Sequence, residues 1–174
     1  MKKGLLLIGA LILSTSVFAA SAHDAVEGVV EVKAKVVQPL DIKTTPVDYG
    51  IMIPGEYKQW ADTTGTLKIT GTPGERIRME VKESGKENYS IYKGPHEHRY
   101  TTLTTGSGTA ENEKMTADLS IFTPGIQGDD VENGILVLES EGEKEFIING
   151  SLTAAQNQKP GVYNGQIHVR AMYE

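Results

Sequence analysis

Apolar and polar residues alternate, or gather in short runs, along most of this chain, and glycine and proline break the pattern about every eight to twelve residues. The i, i+3, i+4, i+7 spacing of an amphipathic helix is not convincingly sustained anywhere. Period two with frequent breaks predicts an all-β fold, a sandwich of short strands. Candidate strands are 29–37, 40–44, 47–53, 65–70, 76–81, 89–92, 114–122, 135–138, 145–152 and 162–173. Pro39 stands where the first two meet, a place where proline interrupts a ladder or marks a strand start. Segments 135–138 and 145–152 flank Glu139-Ser140-Glu141-Gly142-Glu143 and read as a hairpin with a polar turn.

Alternation is clearest at the two ends. Near the start, Val30, Val32, Ala34 and Val36 fall on one face of an extended segment, with Glu31, Lys33 and Lys35 on the other. In the last candidate strand Tyr163, Gly165, Ile167, Val169, Ala171 and Tyr173 share the face expected to meet the core. Asn164, Gln166, His168 and Arg170 line its opposite face, and Pro160-Gly161 is the turn that starts it. Residues 83–113 break the rhythm, being rich in Gly, Ser, Thr, Lys and Glu, with Tyr89, Tyr92 and Tyr100 spread among them. They read as a long surface excursion with one or two short strands, either a binding loop or a tolerated insertion.

The first residues belong to a different kind of segment. Lys2 and Lys3 precede an apolar run over 5–13, and Ala20-Ser21-Ala22 places small residues before His23. This is the pattern of a secretory signal peptide over 1–22, and the run is too short to be a comfortable retained span. Its removal leaves 152 of the 174 residues and takes the net charge from −6 to −8. The mature chain divides into an N-terminal strand segment, 23–38, and a single sandwich domain, 39–174, long enough for a proper core. An acidic exported chain with no basic cluster argues against nucleic acid as a partner. With no cysteine, disulfides, thiol chemistry and a lipidated cysteine are excluded.

Candidate chemistry is sparse. His96 and His98 would share a face if strand-borne, but a third metal ligand is not evident and Pro95 favours an exposed turn. Asp129, Asp130 and Glu132 read as a solvated loop before a loose calcium site. The pairs Glu139/Glu141 and Glu143/Glu145 sit at a hairpin tip, poor ground for acid catalysis. Asn88-Tyr89-Ser90 and Asn149-Gly150-Ser151 match the short N-glycan acceptor pattern. Trp60 is a sugar-stacking platform or a rim residue, and His168 a surface histidine. No nucleophile elbow or phosphate-cradling loop occurs, so neither an enzyme, a metal nor a cofactor is expected.

Three segments carry a resemblance. Val26-Glu27, the alternating 30–36 and Pro39-Leu40-Asp41-Ile42 resemble the donor segment and first strand of colonisation-factor-type pilins of the alternate chaperone–usher class. Val47-Asp48-Tyr49-Gly50, Ile53-Pro54-Gly55 and the run 67–74 are similar to a wider pilin-like group of secreted bacterial domains related to the spore coat protein U type. So is the ending, with Ile147-Ile148-Asn149-Gly150-Ser151-Leu152, Pro160-Gly161-Val162-Tyr163-Asn164-Gly165, Val169 and Tyr173. The resemblance implies an immunoglobulin-like sandwich, exported through the periplasm to the cell surface and assembled into fimbriae. Implied partners are copies of itself or related subunits, a periplasmic chaperone and an outer-membrane usher. Val30, Val32, Ala34 and Val36 would then fill a neighbour's groove by β-strand addition. The alternative is a self-complete adhesion module whose 83–113 excursion binds a ligand. Many pilins of the better-known class carry a disulfide and this chain departs from them.

Overall fold

In the computed structural model, residues 27–124, 131 and 134–174 are described. The signal segment and the acids Asp129, Asp130 and Glu132 lie outside them. The chain divides into two units, Met1–Lys35 and Val36–Glu174. In the first, residues 27–35 carry no strand or helix and are exposed. The second is all-β, with two antiparallel sheets enclosing one core.

The ten strands are β1 (Asp41–Thr45), β2 (Tyr57–Lys58), β3 (Gly65–Thr70), β4 (Arg76–Lys82), β5 (Ser90–Ile91), β6 (Arg99–Thr104), β7 (Lys114–Phe122), β8 (Ile135–Val137), β9 (Glu143–Thr153) and β10 (His168–Tyr173). The larger sheet runs β1-β3-β9-β7-β6, with β2 also on β9. The smaller runs β10-β4-β5, with β8 also on β4. Strict alternation decides which residues meet between them: Leu67 and Ile69 of β3, Ile77, Met79 and Val81 of β4, Ala117, Leu119 and Ile121 of β7, and Phe146 and Ile148 of β9 are all buried. Tyr92 stands edge-on to Phe146 at 5.9 Å and donates its hydroxyl proton to the Ile121 carbonyl at 2.7 Å, so this aromatic pair leaves its polar atom satisfied. β7 and β9 pair so closely at Gly150 that a Cβ there would lie 1.9 Å from the Asp118 carbonyl oxygen. Only glycine fits that position.

Several expectations change. Residues 29–37 form no strand, because alternation makes a strand only where a neighbour supplies ladder partners. The 47–53 segment has a single bridge, Asp48 to Thr63, and then turns at Gly50, whose φ is 61°. Segments 135–138 and 145–152 are not a hairpin. β8 pairs with β4 and β9 with β3 and β7, so the polar turn carries the chain from one sheet to the other. The last strand begins at His168, and before it only Asn164 bridges, to Thr104. The 83–113 stretch holds β5, β6 and a 3-10 turn at Glu111–Glu113, and β6 is a full edge strand of the larger sheet.

An ion pair pins the β6–β7 connection to the turn before β10. Glu113 is buried and meets Lys159 Nζ at 2.6 Å and Ser107 Oγ at 2.8 Å. Those bonds hold the Glu113 carboxyl down at about 2 and raise the Lys159 ammonium. A carboxyl depressed by folding stabilises the fold above its ordinary pKa, and the contribution is lost as pH falls through its folded value.

Two outcomes follow from this packing. Phe146→Ala should lower unfolding free energy by about 3–5 kcal/mol in urea titrations of the full chain. Glu113→Gln should lower the urea midpoint at pH 7, and the gap to the unsubstituted chain should close as pH falls from 4.5 toward about 2. A gap that stays constant over that range would mean the carboxylate charge contributes nothing.

Candidate functional site

β1 and β10 each end a sheet, and among the described residues neither has a strand on its outer side. Between them the core is open. A cavity of about 660 Å³ is bounded by Ile42, Thr44 and Val47 on one side and by Gly165, Ile167 and Val169 on the other. Leu103, Ala117, Leu119 and Ile148, from the inner face of the larger sheet, form its floor. A second cavity of about 650 Å³ continues past Met52 and Tyr163 over Met115, Leu152 and Ala154. The two share Val47, Tyr49 and Leu103, and together they form one groove with an apolar floor along the seam of the sandwich.

Local chemistry holds the groove in shape. Thr104 and Asn164 exchange backbone hydrogen bonds of 2.9 and 3.1 Å, and Thr101 Oγ1 donates to the Gln166 carbonyl at 3.0 Å. These bonds tie the run before β10 to β6. Gly165 sits where a Cβ would meet the Thr102 carbonyl oxygen at 2.7 Å, so the close approach needs glycine. At the far end the Tyr173 hydroxyl accepts from the Thr72 amide at 2.8 Å and donates to the Gln38 carbonyl at 2.7 Å. Tyr173 thereby fixes the point where the chain enters β1.

The residues singled out from the sequence fall into two sets. Tyr163, Ile167, Val169, Ala171 and Tyr173 are half-buried and packed against the core, while Gly165 is exposed. Val30, Val32 and Val36 are 84, 90 and 95% exposed, and Ala34 is exposed too. With Val29, also exposed, they make a run of valines set in water at the N-terminal end of the described residues. The wall from Ile42 to Tyr49 and the floor residue Leu103 went unrecognised as site residues. Ile42, Val47 and Tyr49 lie within the motifs that carry the resemblance, but those motifs assign them no place in a groove.

Tyr49 stands where the two cavities join. It is only 7% exposed, and its hydroxyl is without a hydrogen-bond partner. Burial pushes its pKa up to about 12, with a smaller push from Asp118. Its carbonyl accepts from Lys58 Nζ at 2.6 Å, and Lys58 also meets Asp62, so the backbone of this wall is anchored.

Elsewhere the candidate chemistry disperses. His96 lies in a turn, and His98 Nδ1 is 2.8 Å from Asp118 Oδ1. The shared-face geometry for two imidazoles is therefore not formed, and no metal-binding group of three ligands occurs among the described residues. Arg99 is buried and pairs with Glu97 at 2.6 Å, a structural link for the loop before β6. Trp60 is exposed. No helix among the described residues is long and apolar enough to cross a membrane.

Among solved structures, the chain is similar to the E. coli Hda pilus minor tip subunit, HdaB, at 12% identity and a TM-score of 0.39, over 76% of this chain and 82% of that one. No curated protein matches it. The family described as Domain of unknown function (DUF4402) matches residues 50–173, from the turn beside Tyr49 to the last residue of β10, and the chain belongs to that family.

Proposed function

We propose that this chain is a non-enzymatic structural subunit of a surface fibre, polymerised by β-strand complementation. Each copy lends its N-terminal segment, with Val30, Val32, Ala34 and Val36 inward, to the groove between β1 and β10 of the next. The observation that carries this reading is the pairing of an open groove with an apolar floor and an exposed apolar stripe in one chain. A strand laid in the groove would cover half-buried Ile42, Leu103, Ile167 and Val169 and meet the free edge of β10. Burying three valines and an alanine is worth roughly 5 kcal/mol before any backbone pairing. A whole domain is stable by about 5–15 kcal/mol, so occupancy of the groove weighs heavily on whether a copy stays folded.

Lending a segment to a neighbour makes a head-to-tail contact, which grows an open filament and not a closed ring. On the way to the surface the groove needs another occupant. A periplasmic chaperone that lends a strand, followed by an outer-membrane usher, fits that need.

The test is a denaturing gel of surface-sheared material, unheated against boiled. A ladder of multimers that collapses to one band on boiling is expected, and Val32→Asp should abolish it while leaving the body of each copy intact. A single band in both lanes for the unsubstituted chain would overturn the proposal in favour of a self-complete binding module. A ladder unchanged by Val32→Asp would remove the segment from the assembly.

A further inference from the structure

The structure points to a register for that contact. We infer that Ala34 of one copy seats on the ring of Tyr49 of the next, so that Tyr49 selects the one small residue of the incoming stripe. This rests on the strand-complementation reading and adds what fixes the strand's position along the groove.

Tyr49 borders both cavities, with Val47 and Leu103 as the only other residues shared between them. The groove is therefore two roomy stretches joined across a tyrosine, and a strand running its length must cross that ring. Inward residues of a strand are roughly 7 Å apart, so one of them falls on the crossing. Three of the four inward residues are β-branched valines and one is alanine. A valine forced onto a filled position overpacks it, whereas an alanine left in an open stretch leaves a void. With Ala34 on Tyr49 both faults vanish: Val32 enters one cavity and Val36 the other.

Size exchange tests this. Ala34→Phe, on a segment outside the folded body, should cut the heat-sensitive ladder at least tenfold, and adding Tyr49→Ala should restore it. An undiminished ladder from Ala34→Phe alone would overturn the register while leaving complementation standing. Loss of the ladder in Val32→Asp but not in Ala34→Phe separates the two claims. Should Tyr49→Ala fail to fold, crosslinking decides, since the chain has no native cysteine. Ala34→Cys with Val47→Cys should give a covalent ladder on oxidation, and Val30→Cys with Val47→Cys should not. The reverse pattern would overturn the assignment.

Discussion

A β-sandwich is stable when every inward side chain meets another and every inner strand has neighbours on both sides. This one meets that condition at its centre, where Phe146, Leu67, Ile69, Ile77 and Met79 are wholly buried. It fails along the seam between β1 and β10. Among the described residues these two edge strands have no outer neighbours, and beneath the gap Ile42, Leu103, Ile167 and Val169 are only half-buried. Free edges are usually blunted by charge, proline or a covering loop. Here Lys43 and Arg170 are exposed, but Ile42 of β1 and Val169 of β10 turn apolar side chains to the groove. The unfilled seam is the constraint from which the behaviour of the rest follows.

The N-terminal segment answers it from the other direction. Its apolar residues have nothing to bury against in residues 27–35, and its charged ones suit water. Neither feature explains itself alone. An exposed stripe of valines is a liability for solubility, and an open groove is a liability for stability. Each becomes economical once the other is its partner in a second copy. The Tyr173 hydroxyl, bonded to Gln38, ties the start of the body to the last strand of its own domain.

Legibility from sequence followed the physics of each element. β3, β4, β7 and β9 were plain because both their pattern and their neighbours lie within the chain: Leu67 faces Phe146, and Leu119 faces Gly150. β6 is hidden in the sequence, since Arg99–Thr104 is polar in composition and its buried inward residues are Arg99 and Thr101, which bond Glu97 and the Gln166 carbonyl. The supposed hairpin failed because local turn chemistry is the same whether a turn joins two strands of one sheet or passes between sheets. The strand at 29–37 was read from alternation, which reports a capacity for pairing and not a partner. The groove itself was invisible: its floor is spread over β6, β7 and β9, and only the folded topology brings Leu103, Leu119 and Ile148 together.

Alternation by itself leaves one question open. A strand can slip by two residues and keep the same face inward, so a stripe of identical residues would fit a uniform groove in several registers at nearly equal energy. Degeneracy of that kind would give a fibre with subunits at irregular spacing. It is removed only where the groove changes width and the stripe changes size to match. Tyr49 supplies the change in the groove and Ala34 the change in the stripe, the latter being the sole inward position of 30–36 that is not valine. A single narrow point in an otherwise permissive groove is enough to convert non-directional apolar burial into one defined contact.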